Sequence, residues 1–241
     1  MIDRFETIDR VLFWKEKKIL IVGDLHLGYE ESLQEQGWTV PQILLDETME
    51  IFKKIFKIAG KVEKIILLGD VKHNFAGVLR QEMSDVYAVF GLFKKNLIND
   101  GEIIVTKGNH DNILESIVKN FRGVRLLDFY IFEDVLFFHG DTQSWEKIGL
   151  DVFDEKIKLI VTGHYHPAIL VEEGDKRERY KCFVFGKEKK LKKNMIVVPS
   201  FFTLVEGTDI SGGFEGMDLK NIKVFAVSPD GSVYDFSGMK G

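Results

Sequence analysis

The hydrophobic residues of this chain follow two different spacings. In residues 41–59 they fall on one face of a helix, with Pro41 near the first turn and Gly60 as a stop signal. Residues 83–97 carry a second amphipathic pattern, which predicts another helix. Short runs that are apolar throughout are typical of buried strands. Such runs occupy residues 19–22, 65–68, 103–106, 135–138 and 159–162.

Strand-like runs also precede and follow this alternating region. Residues 11–14 and 19–22 flank a charged turn and predict an entrance hairpin, and residues 27–40 predict a loop or a broken helix. The alternation of strands and helices, followed by β-rich sequence, predicts an α/β fold of two packed sheets with outer helices, in one domain spanning residues 1–241. The last third contains strand-like runs at residues 168–171, 180–185, 195–198, 222–227 and 233–236.

Composition narrows the class of protein. Of the 241 residues, 45% are hydrophobic and 29% are charged, which is the usual balance of a folded globular protein. The start lacks a signal-peptide pattern and no apolar run approaches about 18 residues, so we expect a cytoplasmic protein without membrane segments. The single cysteine, Cys182, excludes an internal disulfide, and its apolar surroundings in the sequence predict ordinary packing.

The charge distribution bears on nucleic-acid binding. A net charge of −5 argues against a protein that holds nucleic acid on a broadly basic surface. A nuclease stays open as an interpretation, because bound divalent cations supply positive charge at the phosphate. The clearest basic cluster, the lysines within residues 187–193, is interpreted as a solvated hairpin turn, with a phosphate-backbone contact as the alternative.

Five short polar motifs occur where apolar strands end. Ligands of α/β sheets bind at the carboxyl ends of the strands, so we expect these motifs to meet at one place. Residues two apart in a strand point to the same side, so Asp24 and His26 converge if the extended path persists beyond the strand. The motifs are Gly23-Asp24-Leu25-His26, Gly69-Asp70-Val71-Lys72-His73, Gly108-Asn109-His110-Asp111, His139-Gly140-Asp141 and Gly163-His164-Tyr165-His166.

The histidines sharpen the interpretation of these motifs. A lone Gly-Asp pair or a lone histidine is usually a turn or a satisfied polar residue. This chain has six histidines, and all of them lie in the five motifs. Imidazole, carboxylate and carboxamide ligands without thiolates suit Mn²⁺, Fe²⁺, Ni²⁺ or Zn²⁺ and disfavour Ca²⁺. The sequence therefore predicts a transition-metal centre.

In their order and spacing the motifs resemble the signature of the calcineurin-like metallophosphoesterases, over residues 24–166. The resemblance implies a four-layer α/β/β/α sandwich of two mixed sheets with two divalent metal ions, Mn first among Mn, Fe, Ni and Zn. It also implies seven metal ligands, a trio for each ion and one shared carboxylate: Asp24, His26 and His166; Asn109, His139 and His164; and the bridging Asp70.

The same resemblance implies residues that act beside the metals. His110 would be the catalytic histidine, and Asp111 would orient its ring. His73 and Lys72 follow the bridging carboxylate and are candidates to contact the scissile phosphate, with a solvated turn as the alternative for each. Asp141 stands where many relatives carry a second histidine, and this departure concerns substrate contacts more than metal binding.

Two features are similar to the small SbcD-related phosphoesterases: His73 after the second motif, and the loop ending at residues 37–41. They imply hydrolysis of phosphodiester bonds in nucleotide or nucleic-acid-like substrates by a hydroxide that two metals activate. The chain leaves little room for the DNA-capping domain of the full nucleases. The alternatives are a phosphomonoesterase or phosphoprotein phosphatase, and a non-catalytic binding scaffold that would have lost ligands. Trp38 either stacks on a base or packs into the core, and the oligomeric state is open.

Overall fold

A computed structural model describes residues 4–75, 77, 80–149, 155–174, 176–213 and 216–237. Its first sheet contains six strands in chain order. The first three strands are antiparallel, and the third to the sixth are parallel to one another. The strands are β1 (Glu6–Ile8), β2 (Val11–Trp14), β3 (Ile19–Val22), β4 (Val62–Leu67), β5 (Leu97–Thr106) and β6 (Val124–Leu127).

The second sheet contains the later strands of the chain. They are β7 (Tyr130–Phe132), β8 (Val135–Phe138), β9 (Leu159–Thr162), β10 (Pro167–Glu173), β11 (Lys176–Glu188), β12 (Asn194–Val197), β13 (Thr208–Asp209), β14 (Met217–Val227) and β15 (Val233–Asp235). The main path runs β13-β10-β11-β12-β9-β8-β7, and β14 joins β11 to β15. The central strands β8, β9 and β12 are parallel, whereas β10, β11 and β12 form an antiparallel meander.

The helices cover the outer faces of the two sheets. Phe52 and Phe93, from the second and third helices, pack with alternate residues of the first sheet. Trp145 of the fifth helix packs edge to face on Phe138 of the second sheet. The helices are α1 (Tyr29–Glu35), α2 (Leu44–Ala59), α3 (Arg80–Asn96), α4 (Leu114–Val118) and α5 (Thr142–Lys147). This arrangement of two mixed sheets between helices confirms the predicted fold class.

A large apolar layer joins the two sheets. Trp14 and Ile66 of the first sheet meet Phe137 and Phe183 of the second in one buried cluster. Every residue of β3, β8 and β9 is buried, because these strands are covered on both faces. Continuous apolar sequence is the pattern that such strands require, so their observed bounds equal the predicted ones.

One helix boundary differs from the prediction, whereas two other predicted features are observed. The first long helix begins at Leu44, three residues after Pro41, where the buried carboxylate of Glu30 accepts the main-chain N–H groups of Ile43 and Leu44. Residues 27–40 contain the seven-residue helix α1 and then a loop, as expected for a broken helix. The lysines of residues 187–193 lie around the antiparallel turn from β11 to β12, which confirms the hairpin.

Some elements carried no usable sequence signal. The strands β1, β7 and β13 have only two or three residues, and β6 is only partly buried. The helices α4 and α5 span about one and a half turns, which is too short for a periodic pattern. Within the described residues, no helix is both long and apolar enough to cross a membrane.

Candidate metal centre

The five polar motifs meet where the parallel strands of both sheets end. Asp24 follows β3 and Asp70 follows β4, both in the first sheet, whereas His139 and His166 follow β8 and β9 in the second. Nε2 of His166 lies 3.3 Å from Oδ1 of Asp24, and Nε2 of His139 lies 3.4 Å from Oδ2 of Asp70. The site is therefore built across the seam between the two sheets.

Asp70 is the central carboxylate of the site. Its Oδ2 lies 3.8 Å from Nε2 of both His26 and His110, in addition to its contact with His139. Its Oδ1 accepts the main-chain N–H of His110 at 2.9 Å, which fixes the carboxylate against the third motif. A group in this position reaches ligands from both trios, as expected of a bridging ligand.

The remaining ligand atoms form two groups around Asp70. In the first, ligand atoms of Asp24, His26 and His166 lie within 4.8 Å of one another. In the second, ligand atoms of Asp70, His139 and His164 lie within the same distance of one another. Oδ1 of Asn109 lies 3.1 Å from Nε2 of His139 and so belongs with the second group. The first group consists of the first implied trio, and the second holds the other implied trio together with Asp70. Metal binding by these residues stays a prediction.

His139 presents one nitrogen to the centre. Its Nδ1 lies 2.8 Å from the carbonyl oxygen of Leu68, which can only accept, so Nδ1 carries a proton. Its Nε2 faces Nδ1 of His164 at 3.0 Å and the oxygens of Asp70 and Asn109. Burial opposes protonation, but Asp70 outweighs it and raises the pKa of His139 to about 10. A bound metal cation would replace the proton on Nε2, and the negative charge that favours this proton would also favour the cation, so these residues fit a metal.

The charge states of the other groups suit metal binding as well. Burial works against ionisation of Asp24 and Asp70, yet His166 beside Asp24 and His139 beside Asp70 hold the pKa of each carboxyl below its usual range. Burial lowers the pKa of His26 to about 3, so its imidazole is neutral at neutral pH. Ionised carboxylates and neutral imidazoles are the forms that bind metals.

The backbone at the site adopts the left-handed region, which residues with side chains seldom occupy. Its φ is +46° at His26, +48° at Asp70, +67° at His164 and +45° at His166. Such conformations cluster at functional sites, where the surrounding structure maintains them. The extended path that was the condition for convergence of Asp24 and His26 ends at His26, where φ is positive, yet the two side chains do lie together.

Glycines in the motifs leave room for the ligands. A β-carbon added at Gly69 would lie 2.7 Å from Nδ1 of His139, and one at Gly163 would lie 2.7 Å from Oδ2 of Asp24. A β-carbon at Gly108 would overlap the carboxylate of Asp70. The recurring Gly-Asp, Gly-Asn and Gly-His pairs thus reflect ligand side chains that lie directly against the neighbouring backbone.

A third group of ligand atoms, from three imidazoles, lies beside the two groups around Asp70. Ligand atoms of His26, His73 and His110 lie within 4.8 Å of one another, and Nδ1 of His73 is 3.4 Å from Nδ1 of His26. Burial, followed by the charge of His110, lowers the pKa of His73 to about 4. His73 therefore reaches the site as predicted for a substrate contact, and it is neutral at neutral pH.

Asp111 does not have the contact that was predicted for it. Its Oδ1 accepts the N–H of Val71 and its Oδ2 accepts that of Gly108, both at 3.0 Å. The Nδ1 of His110 instead contacts the carbonyl oxygen of His73. Asp111 thus joins the second and third motifs through their backbones, and a main-chain carbonyl orients the imidazole of His110.

Lys72 also differs from its prediction. Its side chain is completely buried, and its ammonium donates to the carbonyl oxygens of Asn74 and, at 3.2 Å, Gly77. Neighbouring residues of extended backbone point in opposite directions, so the chain that turns His73 toward the centre turns Lys72 away from it. A contact between Lys72 and the scissile phosphate is therefore not supported, and the lysine holds the loop after His73.

Three aromatic residues that sequence reasoning did not select lie beside the imidazoles. Tyr29 contacts His73 edge to face with ring centroids 4.5 Å apart, and Phe202 contacts His26 at 5.7 Å. Phe75 lies over His110 at 3.6 Å. Of the three, only Phe75 had a signal in the sequence, its position two residues after His73. Trp38 is 66% exposed, so the alternative that it packs into the core is wrong.

Comparisons with known proteins identify the family and support the fold. A model of the calcineurin-like phosphoesterase family matches residues 17–194. The solved structure of nuclease MPE from Pseudomonas putida is similar, with 17% identity, a TM-score of 0.63 and coverage of 95% of this chain and 93% of that one. This likeness over nearly the whole of both chains supports the two-sheet fold.

Two further solved structures are more distant. An archaeal phosphodiesterase has 16% identity and a TM-score of 0.41, with 90% of this chain and 98% of that one covered. Vps29 of Entamoeba histolytica, solved with zinc, has 14% identity and a TM-score of 0.35, with 90% and 96% covered. A search of curated protein sequences finds no match to this chain.

Proposed function

Because this chain belongs to the calcineurin-like phosphoesterases, hydrolases that act on phosphoric esters, we propose that it hydrolyses phosphodiester bonds at a centre of two divalent cations. The observation that carries the proposal is the position of Asp70 between two groups of ligand atoms. Mn²⁺ is the proposed ion, and Fe²⁺, Ni²⁺ and Zn²⁺ have the same kind of ligand preference. A cytoplasmic location stays a prediction.

The seven proposed metal ligands fall into the two groups of ligand atoms around Asp70. Bound divalent cations would polarise the phosphoryl oxygens and lower the pKa of a water molecule. The protein holds the carboxylates in place through backbone N–H groups: that of His164 lies 3.0 Å from Oδ2 of Asp24, and that of His110 bonds Asp70. The first ion would be held by Asp24, His26 and His166, the second by Asn109, His139 and His164, with Asp70 shared.

His110 is proposed to act on the leaving group. Its Nδ1 is held by the carbonyl oxygen of His73, so Nε2, on the side of Asp70, is the atom available to the substrate. Because Nδ1 already carries the proton bonded to that carbonyl oxygen, a proton on Nε2 makes the ring an imidazolium, and this proton would stabilise the departing alkoxide. The neutral imidazole of His73 is proposed to contact the phosphate.

The preference for diesters over monoesters has a specific structural support. A monoester dianion carries one negative charge more than a diester and gains more from a nearby ammonium group. Lys72 was the cation expected at the phosphate, and its ammonium is instead bonded to the carbonyl oxygens of Asn74 and Gly77. A phosphomonoesterase or phosphoprotein phosphatase stays the second candidate, because its metal ligands would be the same.

A turnover screen tests the proposed function. Protein stripped with a chelator and reloaded with Mn²⁺ is assayed against p-nitrophenyl phosphate, bis-p-nitrophenyl phosphate, cyclic nucleotides and oligonucleotide ends. We expect faster hydrolysis of the diesters, no turnover of the stripped protein, and about two Mn²⁺ ions per chain by elemental analysis. A clear preference for p-nitrophenyl phosphate would establish the monoesterase instead, and turnover without metal would exclude the two-metal proposal.

A further inference from the structure

Phe75 is an exposed aromatic residue at the edge of the metal centre. Its side chain is 52% exposed, although burial of an aromatic ring is strongly favourable. One face of the ring lies over the imidazole of His110, with centroids 3.6 Å apart and planes 33° apart. About half of the side chain is exposed to solvent. The residue therefore offers an apolar, flat surface within a site made of imidazoles and carboxylates.

The backbone on both sides of Phe75 is anchored by two buried ionic side chains. Oε1 of Glu82 accepts the N–H of His73 at 3.0 Å and also that of Asn74. From the other side, the ammonium of Lys72 donates to the carbonyl oxygens of Asn74 and Gly77. Lys72 and Glu82 are both completely buried. Bonds of this kind are costly to break, so these hydrogen bonds keep the backbone, and with it Phe75, in the exposed position.

The position of Phe75 relates it to one arm of the substrate. His110 presents Nε2 toward Asp70, and Phe75 covers one face of the same imidazole. In the proposed function His110 serves the leaving group, so Phe75 lies beside the arm that departs. A planar group on that arm could lie against the exposed part of the ring, as bases do on the aromatic platforms of proteins that bind single-stranded nucleic acid.

We propose that Phe75 is a substrate-binding residue that stacks on the base of the departing nucleoside, and that the substrates are therefore diesters whose departing arm is a nucleoside. This inference rests on the proposed phosphodiesterase function. The stacking role differs from a positioning role, in which Phe75 would only hold the imidazole of His110 and would influence every substrate alike.

Matched dinucleotides separate these roles. The Mn²⁺-loaded protein is given a dinucleotide and two versions of it in which one base or the other is replaced by hydrogen, and product analysis identifies the leaving nucleoside. These substrates have leaving groups of the same alcohol type. Base stacking contributes about 1–3 kcal/mol, so kcat/KM should be about 5- to 150-fold higher when the leaving nucleoside carries its base.

Variants then assign the preference to Phe75. Phe75→Ala should lower kcat/KM for the complete dinucleotide to the value for the version without the leaving base, and Phe75→Trp should retain the preference. Tyr234→Ala is the control, because that ring is 55% exposed, about as much as Phe75, lies in β15 and has no ring contact with the imidazoles among the described residues. Its kinetics should equal those of the wild type.

Each other result overturns the inference in a recognisable way. An equal loss on all three dinucleotides in Phe75→Ala would assign Phe75 to the positioning of His110. An unchanged preference in that variant would remove Phe75 from substrate binding and leave the phosphodiesterase proposal intact. Turnover of aryl diesters without turnover of dinucleotides would exclude nucleoside diesters as substrates. Absence of all diester turnover would exclude the proposed function itself.

Discussion

Two pairs of buried aspartates near the metal centre have opposite acidities. Asp24 and Asp70 are at most 2% exposed, and their pKa values lie below the usual range. Asp111 and Asp85 are almost as deeply buried, at 2% and 4%, and their pKa values are raised to about 7. Burial alone therefore does not decide whether a carboxyl group in this protein is ionised.

The difference comes from the neighbouring charges. All four carboxylates accept a main-chain N–H, so hydrogen bonding to the backbone does not separate the pairs. Imidazoles surround Asp24 and Asp70, whereas burial followed by repulsion from another carboxylate dominates at Asp111, beside Asp70, and at Asp85. The first pair is suited to bind cations, whereas Asp111 holds the backbone of two ligand-bearing motifs and Asp85 that of Gly28.

The largest expected effect is that of Asp70→Asn. The variant keeps the shape of the side chain and removes the charge that both ligand groups share, so it should lose Mn²⁺ binding and turnover together. Metal catalysis of this kind contributes several kcal/mol, which corresponds to a loss of about 10³-fold or more. Titration with Mn²⁺ and hydrolysis of bis-p-nitrophenyl phosphate measure the two losses. Wild-type values for both would contradict the bridging role.

His110→Ala should have the next largest effect. Loss of a general acid lowers the rate by about 10²- to 10⁴-fold, and the loss should be smaller for p-nitrophenolate, which departs without protonation. Mn²⁺ binding should persist, because His110 is not one of the seven proposed ligands. Loss of metal would instead include His110 among the ligands, a role that its proximity to His26 and His73 permits.

Asp111→Ala should affect stability more than chemistry. The change leaves the buried N–H of Val71 and the half-buried N–H of Gly108 without their acceptor, and an unsatisfied buried group costs about 1–3 kcal/mol. Chemical denaturation should show this loss, while kcat of the folded, Mn²⁺-loaded variant should change by less than about 10-fold. A fall in kcat as large as that of His110→Ala would restore the predicted role of Asp111 in orienting His110.

The smallest expected effect is that of Asp85 on the pH dependence of stability. Burial, followed by the charge of Glu30, raises the pKa of Asp85 from 3.8 to about 7. Its protonated form is favoured in the folded state, so its contribution to stability is fully present below about pH 3.8 and is lost as the pH rises through about 7. The effect is on the order of a few kcal/mol.

Asp85→Asn should remove this decrease in stability with rising pH. The variant should unfold at higher denaturant concentration than the wild type near about pH 8 and at a similar concentration near about pH 4. Glu35→Gln, at an exposed position at the end of α1, is the matched control and should change neither value. A parallel pH profile in wild type and Asp85→Asn would show that Asp85 is ionised throughout this range.

The sequence by itself determined where the buried strands lie and which residues follow them. The bounds of β3, β8 and β9 equal the predicted ones, because strands covered on both faces need continuous apolar sequence. The polar motifs at the strand ends predicted one joint centre, and Asp24 and His139, from different sheets, do lie together there. The order of elements was enough for this, since strands that run in parallel end on the same side.

The tertiary structure alone decided which way individual side chains point at that centre. The turn at His26 is set by its backbone torsion. The burial of Lys72 and the exposure of Phe75 depend on hydrogen bonds within residues 72–82, such as those of Glu82. Asp111 follows His110 directly, yet it contacts Val71 of another motif. Spacing along the chain specifies which residues can meet, but the direction of each side chain is set by φ and by the polar groups that packing brings against it.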